Sequence, residues 1–260
     1  MNFNLKNKVI VVTGGAKGIG NAISNVLAEE GAIPFIVGRG KEAVLAAVNG
    51  IKEKGGNASY AIAELTDPEQ CKAAIAAAVA EFGTVHGLVN NAGVNDRVGL
   101  ENGDANKFID SLKKNVVHYY LMAQQALPYL KENKGVIINI GSKVSMTGQG
   151  GTSGYAAACG GRNALTLEWA AELLPYSIRV NAVIVAESFT PLYKRWIDTF
   201  PNPDEKFKSI VNKIPLEKRM TTPEEIANTV TFLLSEKSSH TTGQLIYVDG
   251  GYTHLDRSIT

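Results

Sequence analysis

Val9-Ile10-Val11-Val12-Thr13-Gly14-Gly15-Ala16-Lys17-Gly18-Ile19-Gly20 passes from a β-branched strand straight into a glycine-rich turn, and helical periodicity takes over from Gly18 to about Glu30. A strand that turns through closely spaced glycines into a helix brings backbone amides and the positive end of that helix to one point, where an anion binds. Gly14, Ala16, Lys17, Gly18, Ile19 and Gly20 therefore read as a cradle for the pyrophosphate of a dinucleotide. The glycines let the backbone turn tightly and approach the ligand.

The same alternation continues downstream. Apolar strands are read at Ile33-Pro34-Phe35-Ile36-Val37, at 58–62, at 86–90, at 135–140, at 178–183 and at 244–248, with an Ala-rich helix at 68–82 and long helices from about 105 to 130 and 153 to 174. Strands covered on both faces by helices must run parallel, because each crossover returns the chain to the same edge direction. The expectation is an α/β chain with a Rossmann-type, doubly wound, seven-stranded parallel sheet. Ligands in that architecture sit at the carboxyl ends of the strands. The chain reads as a single domain, 1–260, with one long interruption at about 190–215. Tyr193, Trp196, Phe200 and Phe207 stand there among charged residues, and the segment reads as a substrate lid.

With 260 residues and a formal net charge of +1, the chain has a size suited to one buried core and no basic face for nucleic acid or a membrane. A small-molecule substrate is the expected partner. The N-terminal residues lack an apolar stretch with a cleavage site, and the location is expected to be cytoplasmic. Cys71 and Cys159 form neither a disulfide framework nor a metal cluster, and the four histidines lack metal spacing, so no metal site is expected.

Where the second strand ends, about twenty residues past the loop, an NAD site usually presents an acid to the ribose hydroxyls. Here the chain reads Val37-Gly38-Arg39-Gly40. Arg39 offers a planar fork of donors suited to a 2′-phosphate, and Lys17 adds a second positive charge. NADP is the expected cofactor, with NAD as the alternative.

Asn90-Asn91-Ala92-Gly93 closes the fourth strand, Ser142 follows the fifth, and Tyr155 opens the next helix thirteen residues after Ser142. Together with the loop, this layout resembles the short-chain dehydrogenase/reductase family along nearly the whole chain. The resemblance implies Tyr155 as general acid/base, Ser142 as donor to the substrate oxygen, and Asn115 as holder of a proton-relay water. It also implies cofactor contacts from Glu64-Leu65, from Asn91, Ala92 and Gly93, from Tyr155 and from Thr190.

One position departs. Tyr155-Ala156-Ala157-Ala158-Cys159 stands where the family has Tyr-x-x-x-Lys. A free phenol titrates near ~10, and lowering that by roughly three units corresponds to about 4 kcal/mol, much of which the family's lysine supplies. Cys159 has neither the charge nor the reach and reads as a small buried filler. Arg162, one turn further on, reads as a surface or interface arginine. Three outcomes are open: an inactive form, another cation, or weak activity through geometry. The first is expected for strong catalysis, so the chain reads as an impaired enzyme, or alternatively as an inactive nucleotide-binding protein.

Asn90 to Asp96, Thr147-Gly148-Gln149-Gly150, Thr190 to Tyr193 and Asp249 to Arg257 look like bacterial L-fucose dehydrogenases, which oxidise the anomeric carbon of an aldose. Ser142, Gln149, Tyr155 and Glu187 are the candidate substrate contacts. The C-terminal segment resembles the part through which family members pack, which implies a homotetramer.

Overall fold

The computed structural model describes residues 2–256. Strands β1 (Val9–Thr13), β2 (Ile33–Gly38), β3 (Ser59–Ile62), β4 (Gly87–Asn90), β5 (Val136–Ser142), β6 (Arg179–Val185) and β7 (Leu245–Val248) form one parallel sheet of seven strands in the order β3-β2-β1-β4-β5-β6-β7. The expected doubly wound sheet is what the chain forms. It enters at β1, winds out to β3, crosses back to β4 beside β1, and winds the other way to β7.

Side chains alternate across each strand, so each strand feeds two apolar layers. Val9, Val11, Phe35, Leu88 and Ile137 face helices α3 (Pro68–Phe82), α5 (His118–Asn133) and α6 (Ser153–Glu172). Ile10, Val12, Val89, Ile138 and Val183 face α1 (Gly18–Glu29) and α9 (Pro223–Leu234). Ile36 meets Val44, Val48 and Ile51 of α2 (Lys41–Glu53) in a third cluster.

The reversal of winding opens a crevice between the ends of β1 and β4, and Thr13 and Asn91 bolt it together. Thr13 Oγ1 accepts the amides of Asn91 (2.9 Å) and Ala92 (3.1 Å), while Asn91 Nδ2 donates to the Thr13 carbonyl at 3.0 Å. Asn90 Nδ2 donates to Asn139 Oδ1 (3.1 Å), and Asn139 Nδ2 to Thr166 Oγ1 (2.9 Å), which ties β4 and β5 to α6.

The helix expected over 105–130 is not continuous. It divides into α4 (Ala105–Leu112), a π-helical turn at Lys113–Val117, and α5. A π turn shifts the carbonyls that follow out of helical register, and such turns gather at functional sites. Asn115 sits in the middle of this one.

His118 follows that turn, buried, with Nε2 hydrogen-bonded to the Lys114 carbonyl at 3.0 Å. Burial, then the Arg162 charge, push its imidazole from the ordinary 6.5 down to about 4. Between those values the unfolded chain binds a proton that the folded protein does not, so this contribution to stability is complete above about 6.5 and is lost as pH falls. Urea unfolding at pH ~5 is expected to give up to about 2 kcal/mol less stability from this group than at pH ~7.5, and His118→Gln to remove that part of the slope. An unchanged slope in His118→Gln would contradict the assignment.

Candidate active site

The phosphate loop runs from Gly14 to Gly20 at the end of β1. Gly14 and Gly18 both adopt positive φ, +64° and +53°, where a side chain is strained. A Cβ on Gly20 would stand 2.3 Å from the Gly14 carbonyl oxygen and 2.5 Å from Asn91 Nδ2. Lys17 occupies the N-cap of α1 without a side-chain hydrogen bond, and the first turn holds no acid. An uncapped, acid-free helix start behind a glycine turn fits a dinucleotide pyrophosphate. Thr190, at the N-cap of α7 (Pro191–Ile197), packs against Gly18, where an added Cβ would lie 3.2 Å from the threonine Cβ.

At the far end of the crevice Arg39 and Lys17 are exposed, and Arg39 Nη1 pairs with Glu64 Oε2 at 3.0 Å. Against a burial penalty, hydrogen bonds from Thr66 and then Arg39 hold the Glu64 carboxyl below its usual range. Glu64 thus anchors Arg39 rather than standing alone. Leu65 is buried in the core beside it.

Ser142 is the last residue of β5 and Tyr155 lies in the first turn of α6. Gly154 lets that turn pack tightly against α4, since a Cβ there would meet Ser111 at 2.7 Å. Cys159 and Arg162, one and two turns after Tyr155, lie on the same face of the helix. The Tyr155 hydroxyl interacts with the side chains of both Cys159 and Ser142. Burial, then the neighbouring Cys159, push the phenol up to about 12, while Arg162 and the hydrogen bond with Ser142 pull the other way. Cys159 is fully buried, and burial raises its thiol, so it is a neutral group beside the phenol.

Arg162 corrects the sequence reading. It is neither a surface nor an interface residue: only 3% of it is exposed, and it reaches back toward Tyr155. Nε donates to the Asn115 backbone carbonyl at 2.6 Å, Nη1 to the Ile140 carbonyl at 3.3 Å, and Nη2 to Asn115 Oδ1 at 3.4 Å. The π turn presents the Asn115 carbonyl, and the backbone ends of β5 and the turn replace the solvent that a surface arginine would need. Asn115 is consequently fully engaged. Its Nδ2 donates to Ser111 O at 2.9 Å, and its Oδ1 accepts the Val94 amide at 2.7 Å.

A second polar group was only partly legible. Lys143, buried directly after Ser142, is ion-paired with Glu187 and lies 3.7 Å above the Tyr252 ring. Tyr193 of α7 also hydrogen-bonds Glu187, and burial, then that carboxylate, raise its phenol above the usual range. Gln149 stands exposed on the loop before α6. Arg257, the last residue of the C-terminal stretch singled out above, lies outside the described residues.

Residues 14–253 match the family model described as enoyl-(acyl carrier protein) reductase. The chain belongs to the short-chain dehydrogenase/reductase family. It is 33% identical over 250 residues to the 3-oxoacyl-(acyl-carrier-protein) reductase FabG of Thermotoga maritima, covering 96% of this chain and 99% of the relative. The solved Cj0485 dehydrogenase is 43% identical, with a TM-score of 0.94 over 99% of this chain and 98% of that one. The ligand-free aldohexose dehydrogenase of Thermoplasma acidophilum is 27% identical, with a TM-score of 0.86 over 98% of both chains. As a short-chain dehydrogenase/reductase, the chain is an oxidoreductase of a family that uses nicotinamide cofactors and acts on small molecules. No helix among the described residues is long and apolar enough to cross a membrane.

Proposed function

We propose that this protein is an NADP-preferring oxidoreductase that interconverts a hydroxyl and a carbonyl group on an aldose, with L-fucose the leading substrate. The observation that carries the reading is the convergence of Ser142 and Tyr155 at the carboxyl end of the same parallel sheet whose first strand ends in the glycine cradle. The cradle residues Gly14, Ala16, Lys17, Gly18, Ile19 and Gly20 hold the pyrophosphate. Asn91, Ala92 and Gly93 border the ribose, Leu65 and Glu64 the adenine, and Thr190 the nicotinamide side. When bound, the cofactor supplies or accepts the hydride.

The chain's own part is to orient the substrate and move one proton. Ser142 donates to the substrate oxygen and fixes it near the Tyr155 hydroxyl. In reduction the Tyr155 O–H bond breaks and its proton passes to that oxygen. In oxidation the phenolate takes the proton back. Asn115 holds the π turn in place and does so through Arg162, so the relay water expected of it is replaced in this reading by a direct contact. The impairment expected from Cys159 stays part of this reading, and Arg162, whose guanidinium carbon lies 5.6 Å from the Tyr155 ring centroid, is the cation that would limit it.

The polar lining supports an aldose: Lys143 and Glu187 pair in the crevice, with the Tyr193 hydroxyl on Glu187. A polyol needs such donors and acceptors, and a site built to pair them rejects analogues that lack the hydroxyls. Helices α7 and α8 (Pro203–Val211) serve as the lid, with Trp196 of α7 5.1 Å from both Tyr193 and Phe200, which lies between the helices, and Phe207 of α8 5.4 Å from Phe189. The exposed apolar side chains Tyr120 and Leu167, on α5 and α6, support packing into a homotetramer.

A phenol held near 12 is protonated at neutral pH and favours proton donation, which supports carbonyl reduction as the second reading. The test is a panel run in both directions: NADPH formation with L-fucose and other aldoses, and NADPH consumption with 3-oxoacyl thioesters and simple ketones. Saturable oxidation of L-fucose at the highest kcat/KM supports the first reading, and turnover confined to the thioesters would remove it.

The cofactor preference has its own test. Arg39 is exposed and its pair with Glu64 is worth at most about 1 kcal/mol, so a 2′-phosphate can take its place. Arg39→Asp is expected to shift the ratio of NADP to NAD affinities by at least about tenfold toward NAD, measured by titration of protein fluorescence. An unchanged ratio would assign the phosphate contact elsewhere.

A further inference from the structure

We propose that Arg162 is the positioning cation of this catalytic centre: from the turn beyond Cys159 its guanidinium grips Asn115 and faces the Tyr155 ring, where it takes over the lysine's part. The inference rests on Tyr155 being the proton carrier. Burying a full charge is costly unless hydrogen bonds replace its hydration, and a structural arginine in a core ordinarily has an acid for a partner. Arg162 is 3% exposed, yet among the described residues no carboxylate lies within salt-bridge distance of it. Its donors go to carbonyl oxygens of Asn115 and Ile140, which satisfy the N–H groups without cancelling the charge.

The guanidinium carbon lies 4.5 Å from the Tyr119 ring centroid and 5.6 Å from that of Tyr155. Space for it is provided by Gly93, where a Cβ would stand 2.8 Å from Nη2 and 3.0 Å from Asn115 Oδ1. The π turn and the last residue of Asn90-Asn91-Ala92-Gly93 are thus both shaped around this one side chain.

The groups facing Tyr155 are Cys159 and Arg162 from α6, Ser142 from β5, and Tyr119 from α5, with the His118 ring 4.9 Å from that of Tyr119. Burial keeps His118 neutral above about 4 and keeps the Cys159 thiol protonated. Arg162 is therefore the charge in this group at neutral pH. A positive charge near a phenol stabilises the phenolate and lowers the pH at which it forms.

The test puts a difluorotyrosine at position 155, which brings the phenol into an accessible pH range and gives it a fluorine NMR signal in the protein without substrate or cofactor. Arg162→Gln removes the charge but keeps a donor for the Asn115 carbonyl. It is expected to raise the midpoint by at least about one pH unit, and Arg162→Lys by less than half of that. The pH profile of kcat/KM should move upward by the same amount in each variant. Arg162→Met, of similar length and with no donor, repeats the reading if Gln restores too much solvent.

A folded Arg162→Gln whose midpoint stays within about 0.3 unit would overturn the proposal and leave Arg162 as scaffolding. Cys159→Lys with Arg162 retained brings a second cation into the same buried space, so no gain in kcat is expected, and a gain of about tenfold or more would also overturn it. The NMR midpoint is read without turnover. A shifted midpoint in a protein that oxidises and reduces nothing would therefore condemn the assigned activity, whereas an unshifted midpoint in an active enzyme condemns the role of Arg162 alone.

Discussion

Tyr155→Phe is expected to lower kcat by about 10³-fold while leaving the affinity for NADPH within about threefold of the parent, because the hydroxyl carries the proton and the ring carries the packing. The substituted ring keeps its place in the first turn of α6, between Ser142 and Cys159. A phenol held near 12 cannot be replaced by water without losing the pairing of donor and hydride acceptor in one geometry. Stability should change little, since the lost hydrogen bonds are to a serine hydroxyl and a thiol. The measurement is the steady-state rate in both directions, beside a fluorescence titration with NADPH. Loss of binding together with loss of rate would place Tyr155 in the scaffold instead.

Gly20→Ala should abolish cofactor binding by a different route. The added Cβ would lie 2.3 Å from the Gly14 carbonyl oxygen and 2.9 Å from the Gly14 carbonyl carbon, both of them backbone atoms that cannot rotate away. Relief requires α1 to move off the loop, which also strains the bonds from Asn91 Nδ2 to Thr13 O (3.0 Å) and Gly14 O (3.3 Å). NADPH affinity is expected to fall at least about 100-fold, or about 2.7 kcal/mol, with a lower melting temperature. Gly50→Ala is the matched control. Nothing lies within 4 Å of a Cβ at that position on α2, so this change should stabilise the helix by up to about 1 kcal/mol and leave binding alone. Wild-type affinity in Gly20→Ala would show that the cofactor does not use this loop.

These two expectations also mark which parts of the molecule the sequence made legible. Strands such as Val9–Thr13 and the first part of β5, Val136-Ile137-Ile138, are continuous β-branched or apolar runs, and a parallel sheet buried on both faces needs such runs. The glycine loop could be read because its conformational demands are local: positive φ at Gly14 and Gly18 is a property of those residues and their neighbours. The break in the helix at Lys113–Val117 was not legible, because Lys-Lys-Asn-Val-Val holds no glycine or proline that would interrupt an α-helix. The π turn is held by long-range contacts, Arg162 Nε on the Asn115 carbonyl and Asn115 Oδ1 on the Val94 amide.

Arg162 itself was misread for a related reason. After Gly160 and Gly161, an arginine on α6 has the composition of a solvated helix face. What buries it comes from elsewhere in the chain: the Tyr119 ring, the ends of β5 and the π turn, and the missing side chain at Gly93. A periodicity argument sees only the helix on which a residue lies. Glu187 was read as a substrate contact, but its pairing with Lys143, forty-four residues away, was not legible for the same reason.

The most direct test of the central claim is the initial rate of NADPH formation when the unmodified protein meets L-fucose and NADP, with Tyr155→Phe at the same concentration as the blank. A rate that saturates in both sugar and cofactor and disappears in the blank is the predicted result. NADPH binding with no turnover, either on any aldose or on any carbonyl compound in the reverse direction, would contradict it and leave a protein that holds the nucleotide without using it.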